Sequence, residues 1–137
     1  MRLSDKAVLL ICDTLVDALD TPLSCGLLNI YGSQSLYVDV LLAQFRLSSP
    51  AFKDAEMVDG AAEAQANLIR PTSGFIAAGK GTVATHFNAT NWKEEVIWSG
   101  SISDMHGVGD LKFESPVVAS TKEVAIHKWV FRVNKNG

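Results

Sequence analysis

The sequence predicts a mainly β protein, a β-sandwich or jelly roll preceded by one N-terminal α-helix. Apolar residues recur at three- and four-residue spacing over residues 4–19, which is the pattern of an amphipathic helix. After Pro22 the period changes to two, in short segments separated by glycine, proline, serine and asparagine. A βαβ fold would need helices between these strands, and the pattern provides none. We therefore expect the β-sandwich to occupy residues 24–133.

Length and composition favour one globular domain over residues 1–137. The chain is 47% apolar and 20% charged, which is typical of a folded protein with its own core. A net charge of −3 with scattered Lys and Arg does not favour binding to nucleic acid, which needs clustered positive charge. No apolar run approaches the roughly 20 residues of a membrane helix, so no membrane partner is predicted.

The N-terminal segment is predicted to belong to the mature fold rather than to a targeting signal. Asp5 and Asp13 bracket its apolar run, and no small-residue cleavage site follows at the expected distance. The two cysteines, Cys12 and Cys25, form no metal-binding pair such as CxxC. We expect both to be reduced, partly buried, small apolar residues.

The predicted helix has one apolar face and one acidic face. Ser4 is a natural N-cap and Pro22 ends the helix, because proline disfavours helical geometry in the residue before it. The apolar face carries Val8, Cys12, Leu15 and Leu19, with Ile11 and Val16 alongside. The acidic face carries Asp13, Asp17 and Asp20, close to the negative end of the helix dipole. This stripe is either a solvated face or a docking surface for a basic partner.

The β segments are identified by alternation and by the turn residues around them. Residues 60–69 have high helix propensity, yet their alanines alternate strictly with Glu63, Gln65 and Asn67, which indicates a strand. Gly32-Ser33 is predicted to stop the first strand. About seven strands are expected, the clearest at residues 27–31, 38–47, 60–69, 82–87, 96–102, 111–113 and 123–133, with turns at 79–81, 88–91 and 104–110.

The last strand is predicted to have a core face and an amphipathic face. Ala125, His127, Trp129, Phe131 and Val133 alternate onto the core face. Lys128 and Arg132 lie on the other face, where their long stems cover apolar surface while their charges stay in water. We therefore take Lys128 and Arg132 as candidate interface residues.

No catalytic or metal-binding constellation is predicted, and hence no enzyme activity and no cofactor. His86 and His127 lie in the middle of strands and are interpreted as sheet residues. Asp104 and His106 would be able to share a metal, but an aspartate in a glycine-rich turn more often accepts from its own backbone. Residues 79–82 lack the upstream glycine of a phosphate-binding loop, and Asn88-Ala89-Thr90 matches a glycosylation sequon with no other secretory signal.

Trp92 is the aromatic residue that favours a binding role. It lies in the polar turn Asn91-Trp92-Lys93-Glu94, and tryptophan is the residue type most enriched at binding hot spots. Two alternatives stay open for it: an exposed interface residue, or an indole folded back onto the sandwich.

The order of these segments resembles that of small virion proteins of tailed bacteriophages. The similarity covers most of the chain, from an amphipathic helix at residues 5–19 to a terminal strand. The segments that carry it in between are 28–34, 41–47, the turn Ser49-Pro50-Ala51-Phe52, an alanine-rich strand, the pair 82–87 and 96–101, and the corner Asp110-Leu111. The chain is richer in Trp and His than such proteins and poorer in their Gly and Thr runs.

The resemblance implies a capsid decoration or cement protein, made in the host cytoplasm and located on the capsid exterior. Its partner would be the major capsid protein, and we expect self-association, as a homodimer. A tail or head–tail connector component is the alternative within the virion, and copy number distinguishes the two. A small-ligand or carbohydrate-binding jelly roll is the alternative outside it, favoured if Trp92 and Trp98 lie exposed in one concave patch.

Overall fold

The computed structural model describes residues 1–20, 26–35, 38–48, 50–67, 75–76, 82–114, 117–118 and 126–136. Its one described helix, α1, spans Asp5–Asp17. Ser4 is the N-cap, as predicted, and its hydroxyl oxygen accepts from the Ala7 amide at 3.1 Å. The helix ends two residues before the predicted boundary at 19, and Pro22 lies outside the described residues.

The apolar face of α1 is packed against the sheet. Val8, Cys12 and Val16 are buried, and so is Leu19 just beyond the helix. Ile11, which we expected beside this face, is exposed because it lies about 100° around the helix from Cys12, the centre of the buried stripe.

The described strands are ten in number, eight of them three or more residues long. Their bounds are β1 Leu27–Ser35, β2 Val38–Arg46, β3 Glu56–Val58, β4 Ala61–Gln65, β5 Phe75–Ile76, β6 Thr82–Thr90, β7 Val96–Asp104, β8 Leu111–Phe113, β9 Val117–Val118 and β10 Ile126–Asn134.

Hydrogen bonds join these strands into one open sheet in the order β3-β4-β10-β8-β7-β6-β1-β2-β5, with β9 beside β6. Each pair is antiparallel except β7 and β8, which are parallel. The mainly β class with one helix is therefore confirmed. The hydrogen bonding of the described strands gives a single sheet, whereas a sandwich or jelly roll would divide them into two.

Two predicted strand ends are wrong. Gly32 does not stop β1, which continues to Ser35, because β1 has β2 on one side and β6 on the other and the two ladders hold the glycine in place. Asn88, Ala89 and Thr90 form the end of β6 rather than a turn, since they pair with β1 and β7. The predicted turn at 79–81 and the start of the last strand at 123–125 lie outside the described residues.

The alanine-rich segment is a strand, as its alternation predicted. Ala62 and Ala64 of β4 are buried, while Gln65 is exposed and Glu63 is half-buried. The helix α1 packs on β4 and β10, and the small alanine side chains allow this close approach. Asp59 and Gly60 connect β3 to β4 with positive φ angles of 49° and 80°, which is the conformation of a two-residue hairpin turn.

Trp129 lies at the centre of the core. Its exposure is 2%, and its ring centroid is 4.7 Å from that of Phe52, 5.5 Å from Phe87 and 5.8 Å from Trp98. Of the predicted core face of β10, Phe131 is half-buried but His127 is exposed. The reason is an irregularity in the pairing of β10 with β8, which removes His127 from the alternation.

Cys12 is a free, fully buried thiol. Burial, with a smaller contribution from the nearby charge of Asp13, raises the pKa of Cys12 to about 11. The thiol is therefore protonated at neutral pH and behaves as the small apolar residue that the sequence predicted. Cys25 lies outside the described residues.

The connection between the parallel strands β7 and β8 is unusually short. Parallel neighbours normally need a crossover of a dozen or more residues, yet residues 105–110 alone join Asp104 to Leu111. The chain turns back on β7, and the Gly109 amide donates to Ser103 Oγ at 2.9 Å. Gly107 and Gly109 make this possible, because a Cβ at either position would lie within 2.6 Å of an atom of Ser103.

Candidate binding surfaces

Two of the three predicted acidic interface residues bind the protein's own backbone. Asp13 Oδ1 accepts from the Ala55 amide at 2.7 Å, and Asp20 Oδ1 accepts from the Ala51 amide at 3.0 Å. These bonds fix residues 51–55 against the helix. Asp17 lies between them in the stripe and is exposed. Two of the three carboxylates are thus used in contacts within the fold. Only Asp17 is exposed to solvent, as the sequence predicted for all three.

Two of the three aspartates of this stripe have raised pKa values. Burial, followed by the charges of Asp13 and Asp54, raises the pKa of Asp17 above its usual value. Burial also raises the pKa of Asp20, where the Ala51 amide acts in the opposite direction. Because the folded chain holds these protons more tightly than the unfolded chain, their contribution to stability falls as pH rises through the folded pKa values.

Replacing Asp17 by asparagine is therefore expected to stabilise the fold at pH 7. The group is exposed and screened by solvent, so the gain should be a few tenths of a kcal/mol, on the scale of surface charge pairs. The gain should vanish at pH values below 3.8, the ordinary pKa of aspartate, and shrink in high salt. Urea unfolding at several pH values measures it.

Asp5→Asn is the matched control for Asp17→Asn. Asp5 lies in the first helical turn, where the dipole favours negative charge, and it pairs with Lys135. Its replacement should lower stability at pH 7. Equal signs for the two variants would contradict the charge argument.

Trp92 lies at the tip of the hairpin that joins β6 to β7. Its side chain is 43% exposed, and the Lys93 ammonium lies 5.4 Å from the ring centroid. The indole is therefore not folded back into the core, and its role at an interface stays a prediction.

The turn that carries Trp92 is held in one conformation by Asn91. The Asn91 Oδ1 accepts from the amides of Lys93 and Glu95, each at 3.0 Å, and the Asn91 carbonyl accepts from the Glu94 amide at 3.0 Å. Glu94 adopts a positive φ of 64°, a strained conformation for a residue other than glycine. The turn that carries the indole is therefore stiffened by three hydrogen bonds to Asn91.

Lys128 and Arg132 lie on the outer face of β10, as the alternation predicted. Arg132 Nη1 donates to Glu63 Oε1 across the β10–β4 pair at 2.6 Å. Lys128 is exposed and lines three adjacent grooves of about 170, 240 and 190 Å³ on this face. Charges of both signs line them: Lys53, Lys112, Lys128 and Arg132 are cationic, and Asp54, Glu56, Glu63 and Asp110 are anionic. Such a face suits a partner with a mixed-charge surface better than a polyanion.

A further groove, which the sequence did not predict, lies on the outer face of β1, β2 and β6. Asn29 is 6% exposed; its Nδ2 donates to Asn88 Oδ1 at 2.8 Å, and its Oδ1 accepts from Gln44 Nε2 at 2.7 Å. Asn29 is paired with Gln44 in the β1–β2 register and with Asn88 in the β1–β6 register. The one signal in the sequence was a polar residue in the middle of an otherwise apolar strand, Leu28-Asn29-Ile30.

Two of the residues considered for chemistry, Asp104 and His86, have structural partners. Asp104 Oδ1 accepts from the His106 amide at 2.9 Å, which is the backbone role expected of an aspartate in a turn. His86 stacks on Tyr31, with ring centroids 5.4 Å apart. The described residues contain no group of three His, Cys, Asp or Glu side chains able to hold a metal. Within the same residues, no helix has the length and apolar character needed to cross a membrane.

Trp98 does not share an exposed patch with Trp92. Its ring packs at 4.5 Å from Phe131 and 5.6 Å from Phe52, measured between centroids, as part of the core cluster. The concave pair of tryptophans that would have favoured a carbohydrate-binding jelly roll is therefore not formed.

Comparisons of the chain with protein-family models, with curated proteins and with solved structures found no match in any of the three.

Proposed function

We propose that the protein is a non-enzymatic virion structural protein that binds and stabilises the capsid shell of a tailed phage, as a decoration or cement protein. The observation that carries the proposal is the stiff hairpin with the exposed indole of Trp92. The resemblance of the order of segments to small phage virion proteins supplies the class of partner, the major capsid protein.

The hairpin has the properties of a binding hot spot. Tryptophan contributes a large contact area and has few rotatable bonds to immobilise. The hydrogen bonds of Asn91 fix the turn before binding, so little conformational freedom is lost when a partner covers it. One indole per copy gives modest affinity, but many copies on a symmetric lattice add up to a large stabilisation of the shell.

The outer face with Lys128 and Arg132 is the second contact surface in this proposal. It carries charges of both signs, so a partner or a second copy meets attraction in one orientation and repulsion in others. The proposal includes homodimer formation and a location on the capsid exterior.

The proposed sandwich-like curvature of the sheet is supported by one contact in the core. Trp129 of β10 and Phe87 of β6 contact each other although two strands separate them in the sheet.

Trp92→Ala is expected to weaken binding to capsids of the encoding phage by about 30-fold or more, the scale of a hot spot of about 2 kcal/mol. Capsids that lack the protein are mixed with the purified variants, and the bound fraction is measured by co-sedimentation. Val108→Ala is the matched control, because Val108 is 99% exposed on another loop. Equal losses in the two variants would contradict the assignment of the hairpin.

The number of copies per particle tests the class of function. Mass spectrometry of purified virions should find the chain at hundreds of copies, comparable with the major capsid protein. A few copies per particle would instead support a tail or connector component. Absence from the particle would overturn the virion proposal.

A further inference from the structure

The groove beside the Trp92 hairpin, on the outer face of β1, β2 and β6, has the composition of a ligand site. Its volume is about 280 Å³, close to the lower end of small-molecule sites. Its polar lining consists of Asn29, Tyr31, Gln44, Asn88, Thr90 and Glu94. These six side chains come from four separate segments: β1, β2, β6 and the turn after β6.

The three amides are held in a fixed row. Asn29 lies in the middle, bonded to Gln44 on one side and to Asn88 on the other, and its burial prevents the row from rearranging. The hydrogen bonds of the row occupy one side-chain N–H of Gln44 and the side-chain oxygen of Asn88. Gln44 Oε1 is left as an acceptor and Asn88 Nδ2 as a donor, both on residues that line the groove.

Thr90 supplies an independent observation that points to a ligand. The residue is 3% exposed and lines the groove, and its hydroxyl has no hydrogen-bond partner among the described residues. A buried hydroxyl without a partner destabilises a fold. Because Thr90 lines the groove, a ligand bound there is in a position to give the hydroxyl the missing bond.

Tyr31 and Glu94 complete the lining. The orientation of the Tyr31 ring is fixed by its stacking on His86, with an interplanar angle of 11°. Glu94 is held by the strained turn conformation described above, and its carboxylate is the one charge among the lining residues.

The chemistry of this lining selects a neutral, hydroxyl-rich ligand. No Lys or Arg lines the groove and one carboxylate does, so anions are disfavoured. Three amides and a hydroxyl disfavour an apolar ligand, because their hydrogen bonds to water would be lost without replacement. A sugar hydroxyl both donates and accepts, which matches amides, a carboxylate and a threonine. We infer that the groove binds a neutral saccharide.

This site does not rest on the capsid proposal. It shares Glu94 with the turn that carries Trp92, but it uses none of Trp92, Lys128 and Arg132. The saccharide has two conceivable sources, a free sugar or the end of a cell-surface glycan, and the recognition chemistry is common to both.

The test uses ¹⁵N-labelled protein, because the side-chain amide signals of Asn29, Gln44 and Asn88 report directly on the groove. Glucose, galactose, mannose and N-acetylglucosamine are titrated in turn, followed by oligosaccharides of whichever sugar binds. Binding should shift these amide signals selectively. Equal affinity for monomer and oligomer would indicate a free sugar, and tighter binding of the oligomer a glycan.

Three variants decide whether the groove is the site. Asn88→Ala should weaken binding at least tenfold, whereas Asn136→Ala, which removes an exposed amide elsewhere, should leave it unchanged. Thr90→Val should weaken binding and yet leave the fold as stable as before or more so, since it removes an unpartnered hydroxyl without changing the side-chain shape. The inference is overturned if no sugar or oligosaccharide shifts the amide signals, or if binding survives both groove variants.

Discussion

Trp129→Ala is expected to lower the free energy of unfolding by about 3–5 kcal/mol, the usual cost of removing a large aromatic side chain from a core. Typical domains have a total stability of about 5–15 kcal/mol, so the variant should be close to unfolding at room temperature. The reason is the position of Trp129 at the centre of the aromatic cluster, where its ring contacts Phe52, Phe87 and Trp98. Urea unfolding followed by circular dichroism measures the loss.

Trp92→Ala is the matched control for Trp129→Ala, because the same chemical change is made at an exposed position. Its effect on stability should stay below about 1 kcal/mol. Trp129→Phe should cost less than the alanine variant, since it keeps most of the volume and removes an indole N–H that has no partner among the described residues. Similar losses for the two alanine variants would mean that the aromatic cluster is not the centre of the core.

Gly109→Ala is expected to destabilise the fold by about 1–3 kcal/mol or more, as overpacking does. An added Cβ would lie 2.6 Å from the Ser103 amide nitrogen and 2.9 Å from the Ile102 carbonyl carbon, and backbone atoms cannot move aside as a flexible side chain can. The clash should also break the bond from the Gly109 amide to Ser103 Oγ. Thermal unfolding and amide exchange in β8 measure both effects.

Gly60→Ala separates steric clash from backbone conformation. Gly60 has a φ of 80° and no atom within 4 Å of the place where a Cβ would be. Its replacement should cost about 1 kcal/mol through the left-handed conformation alone. If Gly109→Ala lowers the free energy of unfolding no more than Gly60→Ala does, residues 105–110 do not approach β7 as closely as described.

The elements that the sequence predicted well are those set by local pattern. The helix followed from apolar spacing and from Ser4, and β4 from alternation that outweighed the helix propensity of its alanines. The central position of Trp129 followed in part from its place on the apolar face of the last strand.

The features that the sequence did not predict depend on contacts between distant residues. Gly32 and Asn88 are typical of turns, and they lie within strands because neighbours on both sides pair with them. The parallel pairing of β7 and β8 depends on how Gly107 and Gly109 pack on Ser103, and a local pattern does not carry that information. The amide row joins residues separated by 15 and 59 positions in the chain.

The place of β10 in the sheet has a consequence for the order of folding. It is the last described strand to leave the ribosome, yet it lies between β4 and β8 and joins the pair β3–β4 to the remaining strands. The pair β3–β4 and the strands on the other side of β10 are therefore unable to join into one sheet while β10 is still in the exit tunnel. Until then the core surface that Trp129 covers is open to solvent. Closure requires pairing with a strand whose residues lie 65 to 73 positions earlier in the chain, which is slow for non-local contacts. The aromatic core is thus buried only once β10 has paired, and chaperone binding before that point would protect the nascent chain from aggregation.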